Sequence, residues 1–442
     1  MILTNRTDNP LYSDEDYRRF MESSKEKERV SSRDGFERDH GRIVHSTAFR
    51  RLQAKTQVIG IEEGDYHRTR LTHSMEVAQI ARGIVIHLND TSNLLKNMGA
   101  EIDNSLVETA SLAHDIGHPP FGHKGERALN KKMIEAGAYG FEGNAQTFRI
   151  LSRLEGSEEG GLKLTRATLF SLLKYPIIFS KAINDEFYND KENHISPPKA
   201  NVYDEDASTF RWMLDPYNIS EKEYIQKNSS TDKHVKTLNK TLECSIIELA
   251  DDIAYGSHDI QDGIKLGFIT ISDLKDTLRD YIDSDSEIKL LSTPLFEEMK
   301  EPEKYVLKNF FADLINYLIN SVYLVEIDPN HSPRFRFKAK LPKSLRDLLD
   351  SLKERLVDEK VIFSQQVQTM EWKGGQMVER MFEAMLDDKK LLPRDTRDKW
   401  SKSSRAVNAR LVCDYIAGMT DSYALNMCTR LFDTKPSHLF DI

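Results

Sequence analysis

The apolar run Leu106–Ile116 closes on an adjacent His114–Asp115 pair, and Gly117 with Pro119 and Pro120 stops it. A helix this apolar is expected to be buried, and a polar dipeptide in its last turn is costly unless partners such as a metal satisfy it. Two more histidines, His118 and His123, follow on the turn. A fold for this chain therefore has to gather polar partners at one end of a buried helix. Imidazole beside carboxylate suits a borderline divalent metal, and spare imidazoles next to it suit proton donation or phosphate contact.

The rest of the chain reads mostly as helix. Arg68–Leu88 carries Leu71, Met75, Ala78, Ile80, Ile84, Val85 and Leu88 on a broad apolar face, and Leu242–Asp262 carries Ile246, Ile247, Leu249, Ala250, Ile253 and Ala254. Helices are also expected over Lys124–Ala136, Phe141–Leu154, Leu345–Val357, Phe363–Leu386 and Ala406–Leu431. Only 21 glycines and 14 prolines in 442 residues favour long helices over a β-sandwich. The exception is Val322–Ile327, a turn at Pro329–Asn330, then Arg334–Leu341 with Phe335, Phe337 and Ala339 alternating, which reads as a β-hairpin with one wet face. The expected fold class is all-α with this small hairpin in the C-terminal half. An N-terminal arm (1–40), a metal-dependent core (41–265) with an insertion at about 155–240, and a C-terminal helical region (266–442) with the hairpin at about 322–341 are the expected divisions.

Composition narrows the class. Hydrophobic residues at 39% and charged residues at 30% give a globular chain with a real core. A formal charge of −9 argues against wholesale coating of nucleic acid but allows a local basic pocket. Cys244, Cys413 and Cys428 are too far apart for a disulfide framework or a zinc ribbon, which fits a reducing cytoplasm. No signal-peptide pattern and no membrane-length apolar run is present, so no membrane association is expected. Within Arg33–Gln57, the residues Arg33, Arg38, Arg42, Arg50 and Arg51 are threaded by Ile43, Val44, Ala48, Phe49 and Leu52. They form either a solvated basic face or guanidiniums aimed at phosphates, in this subunit's pocket or across an interface.

A His-Asp dipeptide alone means little, since His258–Asp259 is a second copy. Context discriminates: His73, His114–Asp115 and Asp251–Asp252 put ligand-type residues on three separate apolar helices, which core packing alone explains poorly.

These residues also stand in a larger pattern. Arg-Leu-Thr-His-Ser (70–74), Ala-His-Asp-Ile-Gly-His-Pro-Pro-Phe-Gly-His (113–123), Phe-Glu-Gly-Asn-Ala-Gln (141–146) and Leu-Ala-Asp-Asp-Ile-Ala-Tyr (249–255) occur in that order. Arg-Leu-Gln-Ala-Lys-Thr-Gln-Val (51–58) and Asp-Tyr-Ile-Ala-Gly-Met-Thr-Asp (414–421) join them. Together they resemble the HD-domain deoxynucleoside triphosphate triphosphohydrolases, the bacterial dGTPase group, from about residue 29 to 432.

The resemblance implies a metal held by His73, His114, Asp115 and one of Asp251 or Asp252. Asp251 is favoured because Asp251, Tyr255 and Asp259 then recur every four residues along one helix face. Tyr255 would lie under the deoxyribose and exclude a 2′-hydroxyl, while Asp259 would accept from the 3′-hydroxyl. A metal-activated water would attack the α-phosphate, releasing deoxynucleoside and inorganic triphosphate. His123 is the implied proton donor to the 5′-oxygen, Glu126 its orienting partner, and His118 a phosphate contact. Arg70, Lys174, Tyr175 and Lys199 are the implied phosphate clamp. Gln57 and Val58 would lie against base and sugar, Glu371 would read guanine, and Arg410 would approach the base. Asn144 stands where some relatives carry another histidine. Mg²⁺ or Mn²⁺ is expected, with Fe²⁺ or Co²⁺ also compatible with His₂Asp₂ ligation. A dNTP substrate, preferably dGTP, and a homo-oligomer, as in the hexamers of this group, are implied partners. Two other readings stand beside this one: a different HD enzyme, such as a nucleotidase or cyclic-nucleotide phosphodiesterase, and a non-catalytic binder of dNTP or single-stranded nucleic acid.

Overall fold

The computed structural model describes residues 9–21, 32–57, 68–156, 160–189, 196–229, 233–297 and 304–433. The fold is all-α: the sheets among these residues are two antiparallel two-stranded pairs. The chain divides into two compact units, each assembled from three stretches. The first comprises Met1–Asp14, Met75–Ser111 and Thr241–Gln368; the second comprises Glu15–Ser74, Leu112–Lys240 and Thr369–Ile442.

In the first unit, the apolar stripes of Leu242–Ala254, Ile271–Ile282, Lys304–Asn320 and Lys343–Leu352 bury Ile246, Ile253, Leu274, Leu278, Leu314, Leu318, Leu348 and Leu352. Each such side chain contributes roughly 1.5–3 kcal/mol of hydrophobic stabilisation. The hairpin is present. Tyr323–Glu326 pairs with Phe337–Lys340, Phe337 and Ala339 face inward, and Ala339 N donates to Ser245 Oγ at 3.0 Å. Phe335 is buried too, but from a helical turn, Pro333–Arg336, because Pro333 presets the first helical position. The same turn buries Arg334, which forks onto Glu243 through two bonds of 3.1 Å.

The core of the second unit packs Leu129, Met133, Phe141, Phe179, Tyr203, Met381, Phe382, Val412 and Ile416 together. Arg149, at the end of the helix Gly143–Arg149, cross-links it. Its guanidinium donates to both oxygens of Asp414 at 2.9 Å and to those of Asp206 at 3.0 and 3.1 Å. Five donors in a rigid fork suit two carboxylates at once, as lysine would not.

Several expected helices are interrupted, each for a local reason. The stretch Arg33–Gln57 breaks at Ser46, whose hydroxyl accepts from Phe49 N at 3.1 Å and starts a new helix, Thr47–Arg51. Ala406–Leu431 is two helices, Arg405–Ala417 and Asp421–Phe432, because Thr420 caps the second through Tyr423 N at 3.2 Å. Leu242–Asp262 runs as Leu242–Ala254 and then a π-helical turn, Tyr255–Asp259. The helix Asn104–Ala113 stops one residue before His114, so His114–Asp115 occupies the turn beyond the helix and not its last turn.

Candidate active site

In the second unit, the histidine turn is held by backbone packing. A Cβ at Gly117 would meet Thr147 N at 2.1 Å and Gly143 O at 2.2 Å, so only glycine lets the turn approach the helix Gly143–Arg149 this closely. Gly117 N donates to Thr147 Oγ1 at 3.0 Å, and that hydroxyl lies 3.2 Å from His114 O. After the two prolines, Phe121 and Gly122 both take left-handed backbone angles (φ 61° and 59°), which turn the chain into the helix Gly122–Glu135 that carries His123 and Glu126.

The side chains gather in two groups. The first centres on Asp115, which is buried. Arg70 Nη1 donates to its Oδ2 at 2.7 Å, while His118 Nδ1 and His114 Nε2 lie 3.1 and 3.5 Å from its Oδ1. The buried His73 ring stands 5.6 Å, centroid to centroid, from that of His114. Burial acts to raise the Asp115 pKa, but His118, His114 and Arg70 outweigh it and hold the carboxyl well below the usual range. Two imidazoles and an ionised carboxylate are a donor set that fits a divalent metal. Burial in turn pushes the His118 imidazole down, against the pull of Asp115.

The second group centres on Glu126. Its Oε1 accepts from Gly143 N at 2.8 Å, and its Oε2 lies 3.3 Å from His123 Nδ1. Burial would raise its pKa, yet the His123 hydrogen bond and the nearby Lys199 hold it well below the carboxylate range. The His118 and His123 rings face each other edge-on at 6.3 Å. Beside them, Asn144 Nδ2 donates to Glu142 Oε1 at 2.7 Å, and Lys199 Nζ lies 3.6 Å from the same oxygen. Lys174 Nζ stands 6.0 Å from the ring of the buried Tyr175.

Other expected positions are placed as follows. Gln57 is half-buried, Val58 lies outside the described residues, and Glu371 is half-buried on the helix Gln365–Asp387. Arg410 is buried, with its guanidinium 3.8 Å from the Tyr203 ring and Nη2 donating to Gly140 O at 2.9 Å. Of the arginines in 33–51, Arg33, Arg50 and Arg51 are exposed, whereas Arg42 donates to Leu162 O at 2.7 Å.

In the first unit, Asp251 and Asp252 part company. Asp252 Oδ2 accepts from Arg346 Nη1 at 2.5 Å, so that carboxylate already has a cationic partner. Four residues on, Tyr255 Oη donates to Asp358 Oδ1 at 3.0 Å, Lys353 Nζ lies 5.0 Å from the Tyr255 ring, and Asp259 is buried. Burial and, next, the Asp358 charge push the Tyr255 hydroxyl up. The π-turn that presents Tyr255 and Asp259 is a rare element that recurs at functional sites.

Matches to known proteins cover the same stretches. Residues 70–256 match the HD domain, and residues 339–430 match the phosphohydrolase-associated domain. A deoxyguanosinetriphosphate triphosphohydrolase-like protein of Shewanella sediminis is 39% identical over 95% of this chain and 97% of its own. Proteins of the same description from Pasteurella multocida (38% identical, 90% and 94%) and Vibrio cholerae (40% identical, 92% and 95%) agree. The chain belongs to the HD-domain, deoxyguanosinetriphosphate triphosphohydrolase-like family. It is a hydrolase of the HD phosphohydrolase class. Among the described residues, no helix is long and apolar enough to cross a membrane.

Three residues of this HD hydrolase were not singled out by chemistry. Lys55 is buried, and its Nζ donates to His118 O at 2.5 Å and Ala417 O at 2.9 Å. Asp421 accepts from Thr56 N at 2.8 Å and Phe121 N at 3.1 Å. Glu142 caps the helix Gly143–Arg149 through Ala145 N at 2.9 Å. The one signal for them is that each lies inside a recurring stretch, 51–58, 414–421 or 141–146. A cavity of about 980 Å³ in the second unit is lined by Arg51, Lys55, Arg153, Asp395 and Lys399, among others, and by none of the site histidines.

Proposed function

We propose that this chain hydrolyses deoxynucleoside triphosphates, dGTP by preference, to deoxynucleoside and inorganic triphosphate. The observation that carries the reading is the division of labour around the histidine turn: His118 leans on Asp115, while His123 leans on Glu126. The guanosine preference rests on the names of the relatives and on Glu371, whose carboxylate suits the N1 and N2 donors of guanine.

In this reading His73, His114, Asp115 and Asp251 hold the metal, with Mg²⁺ or Mn²⁺ as first candidates. Asp251 is preferred over Asp252 because Arg346 already neutralises the latter. When bound, the metal supplies an activated water and a Lewis acid for the α-phosphate. A bond forms between the water oxygen and the α-phosphorus, and the bond from that phosphorus to the 5′-oxygen breaks. His123, exposed to substrate, holds the proton that the leaving 5′-oxygen takes, and Glu126 fixes its ring. His118, Arg70, Lys174, Tyr175 and Lys199 contact the phosphates, with Asn144 beside them. Gln57, Val58 and Arg410 border the base, and Tyr255 and Asp259 read the sugar.

The test is product analysis of the purified chain with each dNTP and a panel of metals. Inorganic triphosphate and deoxynucleoside in equal amounts is the expected result. Pyrophosphate with dNMP, or phosphate with dNDP, rules out the assigned bond. Turnover of dNMP alone points to a nucleotidase, and binding of dNTP or single-stranded DNA without turnover in any metal points to a sensor. Sedimentation with and without dNTP tests the expected homo-oligomer.

A further inference from the structure

Three ammonium groups converge on Tyr175 in the second unit. Lys236 Nζ lies 5.4 Å from the ring centroid, and Lys174 and Lys240 each place Nζ at 6.0 Å. Lys236 arrives from the two-residue strand Lys236–Thr237, and Lys240 from the segment entering the helix Leu242–Ala254. The Tyr175 ring is buried, Lys174 and Lys240 are half-buried and Lys236 is exposed, so the group stands at a surface around a fixed aromatic platform.

A cation over an aromatic face is held by the ring quadrupole. Three ammonium groups gathered around one ring can donate together to a ligand with several negative charges. Lys199 connects the group to the histidines. Its Nζ is 3.6 Å from Glu142, which directly precedes the Gly143 whose N donates to Glu126 Oε1 at 2.8 Å, and two residues beyond Lys199 the Asn201 Oδ1 accepts from Tyr175 N at 2.5 Å. Glu126 is the residue that holds His123. A series of neighbours thus runs from the proposed proton donor, through Glu126 and Lys199, to Tyr175 and its lysines.

We propose that Lys236 and Lys240 bind the outer phosphates of the substrate, closing with Lys174 a cationic collar around Tyr175 for a linear polyphosphate chain. This assignment rests on the triphosphohydrolase reading and extends it to two residues outside the sequence motifs. The collar recognises the phosphate tail and is indifferent to base and sugar.

The experiment compares the full, metal-loaded chain with Lys236→Gln/Lys240→Gln and with the charge-preserving Lys236→Arg/Lys240→Arg. Inorganic tripolyphosphate binding is measured by calorimetry, and KM for dGTP and inhibition by deoxyguanosine are measured by turnover. The Gln pair should weaken tripolyphosphate binding and raise KM by roughly tenfold or more, the loss of charge-assisted contacts. Inhibition by deoxyguanosine should stay unchanged, and the Arg pair should recover most of the loss. Unchanged tripolyphosphate binding in a folded Gln pair overturns the collar, as does an equal loss of deoxyguanosine inhibition. If the parent chain turns over no dNTP, calorimetry still decides. Tripolyphosphate binding that depends on the two lysines supports the collar while the substrate reading fails; binding indifferent to them overturns the collar.

Discussion

His123 and Glu126 are one helical turn apart with Nδ1 3.3 Å from Oε2, yet the histidine side chain is 65% exposed and the glutamate 7%. The buried member is fixed by Gly143 N and keeps its charge, while the exposed member is free to meet a ligand. That asymmetry suits a proton donor steadied from behind. Glu126→Gln keeps the shape but removes the charge from the pair. It should lower kcat by about 10²–10⁴, the range of a general acid–base contribution, and leave KM nearly unchanged. Full activity in a steady-state assay would remove Glu126 from the mechanism.

Asp251 and Asp252 offer a discriminating pair. Asp251→Asn should lose bound metal, measured by elemental analysis after dialysis, together with turnover. Asp252→Asn weakens the partly exposed contact with Arg346 and should cost about 1 kcal/mol or less while keeping the metal. The reverse pattern would exchange their roles.

Arg149 serves two carboxylates, and removing it takes the guanidinium from both, leaving Asp414 to Gln146 Nε2 and Asp206 to Arg153. Arg149→Met should destabilise the protein by roughly 3–5 kcal/mol, read as a fall in the thermal midpoint. Arg149→Lys restores the charge without the fork and should fall between the two. A midpoint unmoved by either change would show the cross-link to be dispensable.

Burial, and after it the charge of Arg70, brings the Lys55 pKa from 10.5 down to about 7. Between those values the unfolded chain binds the Lys55 proton and the folded chain has released it, so this site's contribution to stability rises with pH across that window. Relative to Lys55→Met, the parent should therefore gain up to roughly 1.4 kcal/mol per pH unit between pH 7.5 and 9 in urea unfolding. Parallel slopes for the two proteins would mean that Lys55 keeps its proton.

Much of the site was legible because its chemistry is local. His114–Asp115 with Gly117 and the two prolines announces polar residues where a buried helix ends, and the structure ends that helix at Ala113, three residues earlier than the apolar run implies. The β-hairpin was legible from Phe337 and Ala339, since alternation is a period-2 signal. What stayed hidden depends on long-range partners. Lys55 reads as an ordinary lysine until Ala417 O is seen to accept from it, and Asp252 looks equivalent to Asp251 until Arg346 appears beside it. Helix breaks at Ser46 and Thr420 were legible in principle from their capping hydroxyls, but the apolar period continues across both and masks them.

The threading of the chain through its two units has a consequence for biosynthesis. The histidine turn is translated early, but its supports come last: Ala417 receives Lys55, Asp414 receives Arg149, and Asp421 caps Thr56 and Phe121. A nascent chain therefore carries those groups unmatched until residues 414–421 emerge from the ribosome. A stop placed ahead of Asp414 removes the site's foundations as surely as one far upstream.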